Sequence, residues 1–182
     1  MPLALNQLLM TQTLMIRPPI PIDENERLSA LQRLKLLDTA PEDTFDRITR
    51  FACEVFQVSI AAISLVDANR QWFKSISGLD VRETSREISF CGHTILEEGI
   101  FVVLDASADV RFADNPLVTG EPNIHFYAGC PIHDPSFRRI GSLCIINETP
   151  RAFDRTDMVK LNELANLVDE QIETDYLASL KS

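Results

Sequence analysis

The sequence predicts one α/β domain built around a sheet that is buried on both faces. Helical patterns lie near the two ends of the chain, and runs typical of strands lie between them. Two of these runs, residues 58–66 and 140–146, carry apolar or small residues on both faces. A sheet with such strands needs a cover on each side. The 182 residues, 45% of them hydrophobic, suffice for the core of one domain.

The helices are predicted from apolar periodicity and from capping residues. Asp23 is expected to cap the first helix, with Glu26 at the reciprocal capping position. A second helix is expected to begin near Pro41 and to bury an apolar stripe within residues 45–56. The chain then closes with a long helix that Asp154 can cap. These helices at the two ends of the chain can cover one face of the sheet.

The strands are predicted from short apolar runs bounded by turn residues. Trp72 is the only tryptophan and is expected to lie in the core. The five runs that predict strands are residues 58–66, 71–77, 100–104, 124–132 and 140–146. Alternation within the fourth run places Tyr127 with His125 on one face and Phe126 with Cys130 on the other. One pair is expected to line a pocket, and the pattern leaves open which.

Charge and the N-terminal sequence bear on partners and on cellular location. The 27 acidic and 17 basic residues give a formal charge of −10, and the longest basic run is Arg138-Arg139. Such a surface repels nucleic acid and anionic lipid, so we expect neither as a partner. The apolar start, residues 1–16, lacks a basic region and is too short to span a bilayer, and the stiff run RPPIP follows it. We expect a flexible or peripheral leader over residues 1–22, a domain over residues 23–182 and a cytoplasmic location.

The second face of the sheet is expected to be covered by residues 79–120, which are irregular and mixed in polarity. A long cover of this kind encloses a cavity between the sheet and its loops, where a small ligand commonly binds. The pattern therefore predicts a ligand pocket with residues 79–120 as its lid.

Several linked motifs resemble those of GAF domains. They are ISLVDANRQWFKS, SFCGHTI, DASADVRFADNPLVTGEPNIHFYAGCPI and GSLCIINETPRAF. The resemblance covers about residues 23–172 and is strongest to the bacterial subgroup found beside histidine kinases and diguanylate cyclases. It implies an α+β fold with a six-stranded antiparallel sheet, terminal helices on one face, and loops and short helices forming a pocket on the other.

Departures from the family's motifs narrow the ligand class. The cyclic-nucleotide signature of the family has a lysine where this chain has Glu148, so the pairing of that lysine with Asp157 cannot form. The cysteine motifs of members that reduce free methionine sulfoxide are not found around Cys91 or Cys130. The surroundings of a bilin-attaching Cys-His pair are not found either. We expect no metal, haem or bilin, and the ligand stays an unidentified small molecule.

Cys91 and His93 form the sharpest local feature. Placed before a short helix expected over residues 94–98, Cys91 could have a lowered pKa and act as a redox sensor, a ligand or a nucleophile. It could equally be a small buried thiol that packs under the helix. A zinc site that adds Cys130 and His133 is disfavoured, because three-residue spacing along a strand sends the two side chains to opposite faces.

The loop of residues 105–115 supplies further candidates. Arg111 could bind a carboxylate or phosphate of the ligand, with Asp105 and Asn115 as orienting partners. Alternatively Asp105 and Asp109 cap helices and turns, and Arg111 pairs with a nearby acid. The candidate ligand-binding residues are Cys91, His93, Asp105, Arg111, Phe112, Asn115 and Tyr127.

Three hypotheses about function follow from these observations. The first is a non-catalytic sensory domain that binds a small molecule and regulates a separate signalling output protein. The second is a redox or thiol-dependent enzyme centred on Cys91, although no complete catalytic set is evident. The third is an interaction module whose pocket is filled by its own side chains. The apolar face that continues to Leu177 and Leu180 favours a homodimer through the terminal helices.

Overall fold

The computed structural model describes residues 14–181. Its centre is one antiparallel sheet of six strands, as the resemblance implied: β1 (Ile60–Val66), β2 (Arg70–Ser77), β3 (Glu83–Ser85), β4 (Phe101–Val103), β5 (Phe126–His133) and β6 (Arg139–Asn147). The order across the sheet is β3-β2-β1-β6-β5-β4. Strand β1 is buried along its whole length because it lies at the centre with covers on both sides. Five of these strands match the predicted runs; β3 escaped prediction because it is short and polar.

Three helices cover one face of the sheet: α1 (Glu24–Arg33), α2 (Asp43–Phe56) and a long C-terminal helix, Arg155–Ser179. The C-terminal helix begins as predicted, with Asp154 and Asp157 forming a reciprocal capping box. The capping prediction for α1 is wrong. Asp23 precedes that helix but makes no side-chain cap, because its carboxylate accepts a hydrogen bond from Arg138 at 2.9 Å.

The core between the helices and the sheet contains the large side chains of both layers. Trp72 belongs to it, as expected, and Phe126 and Cys130 point the same way. Tyr127 belongs to the opposite cluster, on the far face of the sheet. The question that alternation left open is therefore answered, and Tyr127 is the residue of β5 that faces the pocket side.

Residues 79–120 lie over the second face, as predicted, and contain two short helices, α3 (Phe90–Thr94) and α4 (Pro116–Thr119). Parts of this stretch belong to the sheet itself, because β3 and β4 form its two edges. The prediction of a helix over residues 94–98 is wrong. The helix begins four residues earlier because Ser89 caps it, its hydroxyl accepting a hydrogen bond from the Gly92 amide at 3.0 Å. We name the C-terminal helix α5.

Within residues 14–181, no helix is both long and apolar enough to cross a membrane.

Candidate functional site

The pocket face of the sheet carries a buried pair of thiols. Cys91 lies in the first turn of α3 and Cys144 lies on β6, and their sulfur atoms are 3.9 Å apart. The Tyr127 hydroxyl donates a hydrogen bond to the Cys91 sulfur at 3.3 Å and lies 2.7 Å from the Thr94 hydroxyl. All four side chains are almost fully buried. We call these four residues the thiol cluster.

The two thiols of the thiol cluster differ in pKa. Burial raises the pKa of Cys91, but interactions with the Cys144 thiol and with the nearby hydroxyls of Ser142, Tyr127 and Ser64 outweigh it and lower that pKa to about 6. The hydrogen bond to Cys91 raises the pKa of Cys144, and burial raises it further. Of the two thiols, Cys91 is therefore the one that loses its proton more readily.

An aromatic group lies over the thiol cluster. The rings of Phe90 and Phe112 stack with centroids 4.1 Å apart, and Phe90 also contacts the Tyr127 ring at 5.0 Å. The His93 ring packs edge-on against Phe112 at 5.0 Å. Burial lowers the pKa of His93, so its imidazole is held neutral. Together these rings close the outer side of the cluster to solvent.

Part of the predicted leader lies against this aromatic group. The His93 ring nitrogen hydrogen-bonds the Ile16 carbonyl at 3.1 Å, and the Ile16 amide donates to the Arg111 carbonyl at 3.0 Å. Pro18 is buried and packs so closely on Gly92 that a Cβ atom there would come within 2.7 Å of the proline ring. Residues 14–20, which we call the N-terminal strap, thus hold the cover at its outer surface; residues 1–13 of the predicted leader lie outside the description.

A small cavity lies beside the thiol cluster, between the sheet and its cover. Its volume is about 40 Å³. The lining is mainly apolar, with side chains from the sheet and from the cover that include Ala62, Phe73, Ile146, Leu79, Val81 and Leu117. Four polar side chains reach it, namely Gln71, Thr84, Cys91 and Tyr127. Space of this size holds a water molecule but no metabolite.

The polar candidates of the loop at residues 105–115 make hydrogen bonds within the protein. Arg111 forms two hydrogen bonds with the Asp109 carboxylate, at 2.9 and 2.6 Å, and lies over the Phe112 ring at 5.3 Å. Asp105 is half-buried at the turn, where hydrogen bonds from Ser107 lower its pKa. Asn115 caps α4 by accepting from the Leu117 amide.

Of the seven candidate residues, five lie together. Cys91 and Tyr127 are in the thiol cluster, and His93, Arg111 and Phe112 form the layer above it. Asp105 has the capping role that the alternative interpretation gave it, whereas Asn115 caps α4, which was not predicted. Cys144 was missed, because β6 is apolar on both faces and its pattern does not say which face meets α3.

The second pair of the disfavoured zinc site lies elsewhere. Cys130 belongs to the core under the helices, and His133 hydrogen-bonds Asp169 of α5 at 2.9 Å. The sheet therefore separates Cys130 from Cys91. In the part of the chain that the structure describes, no group of three potential metal ligands comes together.

Comparisons with known proteins agree with this architecture. Residues 40–172 match the sequence profile of the GAF domain. The chain is also 44% identical, over 161 residues, to a cyclic di-GMP phosphodiesterase of Pseudomonas aeruginosa. That alignment covers 88% of this chain but only 27% of the phosphodiesterase, so the chain spans about a quarter of the relative's length.

Solved structures share the fold at low sequence identity. The free methionine-R-sulfoxide reductase of Neisseria meningitidis superposes with a TM-score of 0.61 at 19% identity, covering 91% of this chain and 99% of that one. The PixJ GAF domain of Thermosynechococcus elongatus gives 0.61 at 14%, covering 85% and 93%. The GAF domain of an Acinetobacter phosphoenolpyruvate-protein phosphotransferase gives 0.57 at 18%, covering 86% and 96%.

Proposed function

The chain belongs to the GAF domain family, a family whose relatives here include signalling proteins, and from this premise we propose that it is a non-catalytic sensory domain. In this proposal it binds a small molecule in the cytoplasm, between the sheet and its cover, and regulates an output activity located elsewhere in its chain or on a separate protein. The observation that carries the proposal is the mixed cavity beside the thiol cluster.

The lining of that cavity suits a ligand that is mostly apolar with one or two polar groups. Apolar side chains supply most of the contact surface, while Gln71, Thr84 and Tyr127 offer hydrogen-bonding atoms at its wall. Gln71 accepts from Ser64 at 3.1 Å and donates to Thr84 at 2.7 Å. A ligand whose polar groups replace these internal hydrogen bonds would be recognised through those groups.

Binding requires the cover to move, because the present cavity is too small for a metabolite. Leu79, Val81 and Leu117 lie where the cover meets solvent, and none of them is fully buried. Displacing these side chains enlarges the cavity without breaking the sheet, since all three lie outside the strands. The ligand would thus select an open arrangement of the cover, and this conformational change would regulate the output activity.

Ala62→Val is expected to abolish ligand binding while leaving the fold intact. Ala62 is fully buried on β1 and lines the cavity, so two added methyl groups occupy the space that the ligand needs. The measurement is the melting temperature of the purified protein against a library of cellular metabolites, followed by native mass spectrometry of any hit. At a ligand concentration of 100 times Kd, the wild-type protein should gain about 2.7 kcal/mol of apparent stability, and the variant should gain none.

Ser107→Ala provides the matched control, because this exposed residue lies on the same cover but away from the cavity. It should keep the response of the wild type. If a hit stabilises Ala62→Val as strongly as the wild type, the ligand binds elsewhere and the proposed pocket is wrong.

A second function, association of two copies through the helices, is favoured by a groove between α2 and α5. The groove has a volume of about 620 Å³, and Phe51 and Leu167 in its wall are 53% and 49% exposed. Arg47 and Arg50 line it from α2 and Glu170 lines it from α5, so a two-fold copy could pair opposite charges. This association corresponds to the hypothesis of an interaction module.

Phe51→Arg is expected to convert such a dimer to a monomer, because it replaces an exposed apolar side chain in the wall of the groove with a charge. Sedimentation velocity on the purified domain measures the change. Phe137→Ser is the control, since Phe137 is 86% exposed in the turn between β5 and β6, outside the groove. A monomeric wild-type protein at high concentration would reject association through this groove.

A further inference from the structure

We propose that Cys91 and Cys144 are a site of reversible two-electron oxidation, at which a small peroxide converts the buried thiol pair to a disulfide. The inference rests on the distance between the two sulfurs, on the donors around Cys91 and on the cavity at its side. It is independent of the ligand and of the association proposed above.

Geometry places the two sulfur atoms in contact. They are 3.9 Å apart, and an approach of about 2 Å brings them to bonding distance. Each belongs to a well-held element, α3 in the cover and β6 at the centre of the sheet. The other two cysteines cannot compete for Cys91. Cys130 lies across the sheet, and Cys53 lies on α2.

The surroundings of Cys91 are built for a negative charge. The Tyr127 hydroxyl donates to its sulfur, and the nearby Ser142 hydroxyl also lowers its pKa. Ser142 is fully buried, and its hydroxyl has no hydrogen-bond partner with good geometry among the described residues. By contrast, burial raises the pKa of Cys53, and raises that of Cys130 to about 12. Cys91 is thus the nucleophile among the four.

The cavity beside Cys91 selects the oxidant by size. Its 40 Å³ is lined by the Cys91 side chain and has room for hydrogen peroxide, which is little larger than water. A glutathione-sized disulfide does not fit. The same cavity that is too small for a metabolite in this arrangement therefore admits a peroxide.

The reaction balances with one equivalent of peroxide. The Cys91 thiolate attacks one oxygen, the O–O bond breaks, and sulfenic acid and hydroxide form. The Cys144 thiol gives its proton to that hydroxide, and its sulfur attacks the sulfenic sulfur, forming the S–S bond and releasing a second hydroxide. The products are the disulfide, one water and one hydroxide, which takes a proton from solvent. Two electrons pass from the thiols to the peroxide, and a low-molecular-weight thiol returns them once the cover opens and exposes the disulfide.

The disulfide would tie the cover to the sheet. Cys91 belongs to α3, which lies within the cover, whereas Cys144 belongs to a central strand. Oxidation also removes the thiolate that accepts the Tyr127 hydrogen bond. The oxidised domain would therefore keep its cover closed.

Peptide mapping tests the proposal on the unmodified chain. Trypsin places Cys91 in residues 87–111 and Cys144 in residues 140–151, apart from the peptides that hold Cys53 and Cys130. The folded protein is treated with hydrogen peroxide near neutral pH, then denatured, alkylated and digested. Four alkylated cysteines should fall to two, and the two named peptides should appear joined and separate again on reduction.

Two variants sharpen the result. Cys144→Ser should give no joined peptide and should leave Cys91 as sulfenic or sulfinic acid, whereas Cys130→Ser should give the same joined peptide as the wild type. Tyr127→Phe removes a donor to Cys91, raises its pKa and should slow formation of the disulfide. Circular dichroism confirms that each variant is folded before it is compared.

The wild-type map alone can overturn the proposal. It fails if peroxide oxidises Cys53 while Cys91 and Cys144 stay alkylatable, or if the joined peptide forms only after the protein has been unfolded. It also fails if Cys91 joins a different cysteine in the folded protein.

Discussion

Glu24→Gln is expected to lower the free energy of unfolding by about 3–5 kcal/mol. The Glu24 carboxylate accepts two hydrogen bonds from Arg27, both at 2.8 Å, and one from Arg86. The two arginines are only 2% and 4% exposed, so removing the carboxylate leaves two buried positive charges uncompensated. Two buried nitrogens of Arg86 already have no hydrogen-bond partner among the described residues, so the loss of Glu24 would weaken a side chain that is already poorly hydrogen-bonded. Urea denaturation of the two proteins at neutral pH measures the difference.

The pH dependence of stability gives an independent test of the same group. Burial raises the pKa of Glu24, but the hydrogen bonds and charges of Arg27 and Arg86 outweigh it and lower the pKa from 4.5 to about 2. Because the folded value is lowered, the contribution of Glu24 is fully present above pH 4.5 and is lost as pH falls towards 2. The difference between the wild type and Glu24→Gln should therefore shrink across that range.

Glu26→Gln is the control on the same helix, since this side chain is exposed. Its effect should stay within about 0.5 kcal/mol. Equal losses from the two variants would mean that the buried arginines are not held by Glu24.

Gly141→Ala is expected to cost more than about 3 kcal/mol, above the usual range for overpacking. Gly141 lies on β6 opposite Leu65 of β1, at the centre of the sheet. A Cβ atom there would lie 1.9 Å from the Ser64 carbonyl oxygen, which belongs to the backbone of β1. A flexible side chain could move aside, but a backbone carbonyl held in a central strand pair cannot.

The midpoint of chemical denaturation measures this cost, or the yield of folded protein if the variant does not fold. Gly99→Ala is the matched control, because nothing lies within 4 Å of the added Cβ atom. It should be close to neutral. A Gly141→Ala variant as stable as the Gly99→Ala variant would show that β1 and β6 can separate enough to admit a side chain.

The fold was accessible from the sequence because its strongest signals are local. The long strands and the long helices follow from periodicity, and Asp154 is read correctly because capping depends on its neighbours along the chain. The capping prediction for Asp23 was wrong because its carboxylate accepts a hydrogen bond from a distant residue, Arg138. The short helix was misplaced because Ser89, its cap, precedes a run too short to show a period.

The site was accessible only in part, since it depends on contacts between distant segments. SFCGHTI pointed to Cys91, yet its partner Cys144 lies 53 positions further along the chain, on a strand without a polar face. Nothing in RPPIP indicates that Pro18 packs on Gly92 or that Ile16 meets His93. Such pairings are settled by how the cover folds onto the sheet, which periodicity does not record.

The two outermost strands have a consequence for aggregation. Both β3 and β4 are only three residues long, whereas the strands between them have seven to nine. Beyond the end of β4, Pro131 of β5 has no amide hydrogen to offer, and the His133 amide is bound by Asp169 at 2.8 Å. Short, partly blocked margins are poor templates for an incoming strand. The edges of the sheet therefore disfavour strand pairing between molecules, so any association of two copies would depend on contacts between side chains.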